Sequence, residues 1–294
     1  MAGGQKHFGI VVGVDGSAAS DAAVRWAACD AAMRKLRLAL VHALPAPAPG
    51  WPAAPMPELR QRQQVDAQAI IDDAVKIAED TTTDGAPAEI EGQLFFSAPG
   101  PTLVDMSKDA HMVVVGARGL GAVRSVLLGS VSTELVHHAH CPVAVIHPDA
   151  SKQSRAVHAA VLLGSDGSPA SELATAIAFE EASLRGTRLV ALYAWSDADV
   201  AHSPSMEEGA LRSAAEQTLA ERLAGWRERY PDVSVTRIVV HDRPAAHLLE
   251  RSELAQLVVV GSRGRGGLAG MLLGSVSTAV AHAARTPVIV ARGH

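Results

Sequence analysis

The sequence predicts an α/β protein built as two tandem open sheets, each of five parallel strands in the order 3-2-1-4-5 with helices on both faces. Three observations predict it. Short Val/Leu/Ile runs alternate with amphipathic stretches along the whole chain, as strands and helices do when they take turns. Runs such as Met112–Gly116 and Leu257–Gly261 are continuously apolar, which suits strands covered on both faces. The whole pattern also occurs twice: GIVVGVDGSAAS (Gly9–Ser20) opens one copy and AAVLLGSDGSPAS (Ala159–Ser171) opens the other. A repeat on this scale is a duplicated domain and not a solenoid.

The elements follow in order. In the first copy, strand Gly9–Asp15 runs into helix Ala18–Lys35 through a Gly-Ser pair. Strand Leu38–Ala43 and helix Glu58–Asp80 flank a Pro-rich loop, Pro45–Pro57, that carries Trp51 and cannot be helical. Strand Ala88–Phe96, helix Pro101–Ala110 and strand Met112–Gly116 follow. A glycine-rich loop then leads to helix Ser130–Ala139 and strand Val143–His147. The polar segment Pro148–Ala156 reads as a linker between domains 1–148 and 157–294. The second copy gives strand Ala159–Asp166, helix Ala170–Arg185, strand Arg188–Ala194, helix Glu207–Arg229 and strand Ser234–Val240. Helix Ala245–Ser252, strand Leu257–Gly261, helix Ser275–Ala284 and strand Val288–Ala291 complete it.

Composition narrows the function classes. The formal net charge is −5, and 48% of residues are hydrophobic. No basic surplus favours nucleic acid or an anionic membrane. The N-terminus lacks an apolar signal core, and no apolar run reaches the roughly 20 residues that span a bilayer. The two cysteines, Cys29 and Cys141, give no disulfide framework. A cytoplasmic protein without membrane insertion is expected.

The chemistry lies in a loop that is repeated. VVVGARGLGAVRSVLLGSVST spans Val113–Thr133, and VVVGSRGRGGLAGMLLGSVST spans Val258–Thr278. Gly116, Gly119 and Gly129 keep the spacing of Gly261, Gly264 and Gly274, and a Ser-Val-Ser-Thr stretch follows each third glycine. An apolar strand, a glycine loop and a helix start together aim backbone N–H groups at phosphate. Open parallel sheets bind ligands outside the strand C-termini, where chain order reverses. Strands 1 and 4 are neighbours there, so Asp15 should flank the Gly116–Gly119 loop and Asp166 the Gly261–Gly264 loop. Ser130 and Ser132, like Ser275 and Ser277, offer hydroxyls beside unpaired N–H groups. Asp15 and Asp166 suit a ribose hydroxyl or a hydrated Mg2+ ion.

The spacing G-x2-G-x9-G-S resembles that of the universal stress protein family, in its ATP-binding branch, and the match covers both halves. The resemblance implies a Rossmann-like, adenine-nucleotide-binding fold with two ATP sites. It places Asp15 and Asp166 at ribose and metal, and Ala43 and Ala194 at adenine beside His42 and Tyr193. It places phosphates on the glycines and the Ser-Val-Ser stretch. The first site then comprises Gly13, Asp15, Ala43, Val115, Gly116, Arg118, Gly119, Gly129, Ser130, Val131 and Ser132. The second comprises Gly164, Asp166, Ala194, Val260, Gly261, Arg263, Gly264, Gly274, Ser275, Val276 and Ser277. The implied cofactors are ATP and the Mg2+ bound with it. The family commonly pairs domains through their last strands, here Val143–His147 and Val288–Ala291, so pairing between the two halves or between chains is expected, with a homodimer as the expected assembly. A bare apolar edge strand is a liability in any case.

Other readings are weaker. Gly264–Ala269 loosely fits a dinucleotide fingerprint, but it follows the fourth strand of its half and no acidic residue lies about 20 positions on. The G-x-x-x-x-G-K-[ST] loop is missing, and no lysine is placed to stabilise a leaving phosphate. Arg118 and Arg263 are either phosphate partners or solvated loop arginines. His137, His138, His140 and Cys141 point apart on a helix and have no second ligand pair. Cys141 is expected at a strand mouth, and Cys29 is expected to pack as a small apolar group mid-helix. Trp26 and Trp226 read as core residues on amphipathic helices, and Trp51 as part of an exposed loop. The leading function is a nucleotide-dependent regulator in stress adaptation. A slow ATPase or phosphoryl- or nucleotidyl-transferase in the same crevices, and a pure interaction module with a vestigial crevice, are the alternatives.

Overall fold

The computed structural model describes residues 8–45, 57–82, 85–119, 128–148, 159–195, 208–264 and 273–293. Trp51, most of the Pro-rich loop and all but the first residue of the linker lie outside them. The chain divides into two compact units, residues 1–148 and 149–293. Unit 1 contains β1 (Gly9–Gly13), α1 (Ala18–Arg34), β2 (Arg37–Ala43), α2 (Pro57–Thr81), β3 (Glu89–Phe95), α3 (Pro99–Met106), β4 (Ala110–Gly116), α4 (Ser130–His138) and β5 (Val143–Ile146). Unit 2 contains β6 (Ala160–Ser165), α5 (Pro169–Leu184), β7 (Leu189–Trp195), α6 (Glu208–Arg229), β8 (Val235–His241), α7 (Pro244–Ser252), β9 (Ala255–Gly261), α8 (Ser275–Ala283) and β10 (Val288–Ala291).

Within unit 1 the strands run β3-β2-β1-β4-β5, and within unit 2 β8-β7-β6-β9-β10. All pairings within each unit are parallel. This is the order 3-2-1-4-5 in each half. Successive strand residues point to opposite faces, yet Ile10–Val12, Met112–Val115 and Leu257–Val260 are all buried. Both faces of these central strands are therefore covered, and continuous apolar runs are what such strands require. The outer strand β3 is mostly exposed or half-buried instead.

Several boundaries differ from the sequence reading for physical reasons. The first strand stops at Gly13. Val14 N–H still bonds the Val41 carbonyl at 2.9 Å, and the chain then turns at Gly16, where φ is +77°. That left-handed value suits glycine, and Gly167 repeats it at +78°. Asp15 and Asp166 therefore sit in the turn beyond the strand. Helix α3 begins at Pro99 and α7 at Pro244, because proline is at home in a first helical turn.

Two packing expectations are corrected or refined. Cys29 is exposed, since it lies four residues on from the exposed Arg25 and so shares its outward face of α1. Trp226 is half-buried and not a full core residue. Its ring stacks 6.2 Å from Phe179 on α5. Among the described residues no helix is long and apolar enough to cross a membrane.

Candidate nucleotide clefts

Each cleft is assembled where the β1 or β6 turn meets the glycine loop. Asp15 Oδ1 accepts the backbone N–H of Ser17 at 3.0 Å, and Asp166 Oδ1 accepts that of Ser168 at 2.9 Å. One carboxylate oxygen thus fixes its own turn. The other, Oδ2, faces across the crevice: a methyl group added at Gly119 would collide with Asp15 Oδ2, and one at Gly264 would come within 2.6 Å of Asp166 Oδ2. The two loops are also tied directly. Ser17 Oγ donates to the Arg118 carbonyl at 3.4 Å across 101 positions of sequence. Ser168 Oγ donates to the Arg263 carbonyl at 3.1 Å.

The glycines divide by role. A methyl at Gly116 would stand 2.7 Å from the carbonyl carbon of Ala19, and one at Gly261 would stand 2.9 Å from that of Ala170. These two glycines let α1 and α5 pack closely against the sheet. Gly129 and Gly274 meet nothing nearer than 3.5 Å. They are the N-caps of α4 and α8 and bring no side-chain cap. By contrast, α1 and α5 are capped by the hydroxyls of Ser17 and Ser168. The first-turn N–H groups of α4 and α8 have no side-chain acceptor of this kind, and the helix dipole adds positive potential there.

The serines of that turn are not equivalent. Ser132 Oγ donates to the Gly116 carbonyl at 2.7 Å and is buried. Ser277 Oγ donates to the Gly261 carbonyl at 2.5 Å. Each hydroxyl proton is committed to holding the glycine loop onto its helix, so these two side chains do not point at a ligand as donors. Ser130 and Ser275 are exposed. Of the four hydroxyls expected at an anion, those of Ser132 and Ser277 are thus engaged with these carbonyls. What that turn still offers an anion is its backbone N–H groups and the exposed hydroxyls of Ser130 and Ser275.

In unit 1 these pieces enclose a cavity of about 700 Å³. It is lined by Gly13, Asp15, Ala43, Val115, Gly116, Arg118, Gly119, Gly129, Ser130, Val131 and Ser132. The sequence reading missed Leu44, Ile70, Pro99 and Leu103, which supply much of its apolar wall. His42, at the end of β2, also lines it, and its Nδ1 lies 2.7 Å from the Val14 carbonyl. In unit 2, Gly164 lies on β6, Ala194 and Tyr193 on β7, and Val260 and Gly261 on β9. Arg263 and Gly264 follow β9, and Ser275, Val276 and Ser277 form the first turn of α8. A pocket of a few hundred Å³ with an apolar wall and a few converging polar groups has the proportions of a small-molecule site.

A model of the universal stress protein family matches residues 9–147 and again residues 159–292. The chain is 55% identical over 289 residues to universal stress protein Rv2005c of Mycobacterium tuberculosis, covering 98% of each chain. It is likewise 55% identical over 293 residues to universal stress protein Rv2623 of the same organism, covering 99% of each. A crystal structure of a universal stress protein from Archaeoglobus fulgidus superposes with a TM-score of 0.72 over 99% of both chains at 19% identity, which shows a shared fold. Two matches in tandem, together with whole-length relatives, establish that this chain belongs to the universal stress protein family and carries the family domain twice.

Proposed function

We propose that each domain, 1–148 and 157–294, binds one ATP, and that the bound nucleotide regulates the protein's assembly or partner contacts during stress adaptation. The observation that carries this is the unit 1 cavity, in which a turn carboxylate, the end of β2 and an uncapped helix start face one space. The adenine lies against Ala43 and His42, the ribose beside Asp15, and the phosphates on the N–H groups of Gly119 and the first turn of α4. In unit 2, Ala194, Asp166, Gly264 and the first turn of α8 take these roles, with Arg118 and Arg263 near the phosphates.

Among the described residues no three His, Cys, Asp or Glu side chains are grouped to hold a metal. A single carboxylate oxygen per cleft suits an Mg2+ ion that arrives on the triphosphate and keeps most of its waters. Asp15 and Asp166 would orient that hydrated ion, which neutralises phosphate charge when bound. The described lining of the first cavity contains Arg118 and no lysine. That supports retention of ATP with at most slow hydrolysis over a transferase reading.

We place the protein in the cytoplasm as a homodimer. Light scattering at micromolar concentration tests the dimer: a mass near 30.5 kDa, that of one chain, contradicts it. Titration with Mg-ATP by calorimetry tests the main reading. Two nucleotides per chain are expected, and no heat with no bound nucleotide overturns it.

A further inference from the structure

The two clefts share their backbone plan but not their walls. In unit 1 the turn after β1 lies under an aliphatic side chain: a methyl at Gly16 would be 3.4 Å from Ile70 Cγ1, and Ile70 lines the cavity. In unit 2 the equivalent turn lies under a guanidinium. A methyl at Gly167 would collide with Nη1, Cζ and Nη2 of Arg222 on α6. Arg222 is partly buried. Gly167 stands between Asp166 and Ser168, whose hydroxyl holds the Arg263 carbonyl.

Two further positions change in the same sense. The residue before the first-turn proline is Ala98 in unit 1, where Pro99 lines the cavity, and Arg243 in unit 2. Arg243 has a left-handed backbone, φ +46° and ψ +48°, against −64° and 128° at Ala98. The residue after the last strand is the buried His147 in unit 1 and the half-buried Arg292 in unit 2. Burial, and after it the neighbouring Arg263 cation, holds Arg292 below the usual arginine range. Arg118 and Arg263 hold matching places in the two units; among the described residues unit 2 has arginine where unit 1 has Ile70, Ala98 and His147, and of those three Ile70 is the one that lines the unit 1 cavity. Among the described residues, Asp166 Oδ2 faces Gly264, and Asp242, which precedes Arg243, lies 3.9 Å from His241 Nε2.

We propose that the second cleft is specialised for the more anionic nucleotides, nucleoside polyphosphates over monophosphates, whereas the first cleft recognises the nucleoside through an apolar wall. This rests on reading both clefts as nucleotide sites. In a partly desolvated crevice each added phosphate charge gains from the guanidinium groups of Arg222 and Arg263, and planar guanidinium forks pair with phosphate in bidentate fashion. Among the described residues, the first cleft offers Arg118 and the helix N–H groups for the same task. Binding at the second cleft should accordingly climb more steeply from AMP to ADP to ATP, and should weaken more as salt is added.

The test uses the full chain with one cleft disabled at a time: Gly119→Ala leaves the second cleft, and Gly264→Ala leaves the first. Calorimetric titration with AMP, ADP and ATP, at low and near-physiological salt, gives each cleft its own affinity ladder. The ladder from AMP to ATP is expected to be about tenfold steeper for the second cleft, an amount that one or two extra phosphate pairs account for. Arg222→Ile should flatten it, Arg222→Lys should restore most of it, and Ile70→Arg should steepen that of the first cleft. Equal ladders in the two clefts overturn the proposal while leaving nucleotide binding intact. So does an Arg222→Ile change that weakens AMP, ADP and ATP by the same factor, because the guanidinium would then be acting on the base or sugar. Binding of no nucleotide at either cleft overturns the proposed function itself and this inference with it.

Discussion

At the first cleft the turn that carries Asp15 sits beneath Ile70, and at the second the turn that carries Asp166 sits beneath Arg222. The turns themselves match closely. Their Asp Oδ1 bonds differ by a tenth of an ångström, and the φ values of Gly16 and Gly167 differ by one degree. After duplication, the parts set by backbone geometry stayed the same while the side chains of the covering helix diverged. The lesson concerns which positions are free to vary. A residue whose job is to turn the chain or admit a neighbouring backbone has few substitutes. A residue on the helix that covers such a turn can change from aliphatic to cationic without altering the fold.

The same contrast appears one layer deeper. The second unit packs Phe179, Trp226 and Tyr230 between α5 and α6, with ring centroids 5.8 to 6.4 Å apart. The first unit has Ala28, Ala74 and Ala78 buried on α1 and α2. The aromatic rings need more room between the helices than alanines do, so the helix that bears Arg222 is seated differently from the one that bears Ile70.

The largest expected effect separates glycines that serve packing from those that serve the cleft. Gly116→Ala or Gly261→Ala places a methyl against backbone and should cost about 1–3 kcal/mol of stability, read by thermal or urea denaturation of each variant. If either variant proves as stable as the parent, the close approach of α1 or α5 is not what these glycines provide. Next in size, Gly119→Ala and Gly264→Ala should each remove one bound nucleotide per chain by displacing the facing carboxylate, with a smaller effect on stability. Intact stoichiometry would show that the carboxylate and the second glycine do not share a ligand.

Smaller again, Asp15→Asn and Asp166→Asn keep an oxygen for the Ser17 and Ser168 N–H groups but lose the charge facing the cleft. Mg-ATP affinity at the altered cleft should fall roughly tenfold, as for loss of a charge-assisted contact, and metal-free nucleotide should be affected less. Equal loss with and without Mg2+ would assign the carboxylate to ribose alone. Smallest of all, Ser17→Ala and Ser168→Ala remove an N-cap and should cost about 1 kcal/mol each. The two should cost alike, because the caps are alike: each hydroxyl accepts the N–H of Ser20 or Ser171 at 3.2 Å. A marked difference between them would mean that the units rely on their first helices unequally.

Much of this architecture could be read from the residues. The continuous runs MVVVG and LVVVG announced central parallel strands, and the repeated glycine spacing announced where the crevice lies. Asp15 could be paired with Gly119 before any coordinates because strand order alone makes their strands neighbours. The walls were not legible. Ile70 and Arg222 lie on long helices whose polar and apolar faces look ordinary, and only the three-dimensional path of α2 and α6 puts them over the turn glycines. The Ser132 and Ser277 hydroxyls looked like ligand donors because a helix start offers them to an anion. The nearby Gly116 and Gly261 carbonyls, 16 positions back in sequence, claim them instead. Cys29 was misjudged because a run as alanine-rich as this one gives little contrast between its buried and exposed faces.

Equilibrium dialysis of the full chain against saturating Mg-ATP, in parallel with Gly119→Ala, Gly264→Ala and the double variant, tests the central claim most directly. The account predicts two bound nucleotides per chain for the parent, one for each single variant and none for the double variant. A parent chain that binds none, or a double variant that still binds two, would contradict it.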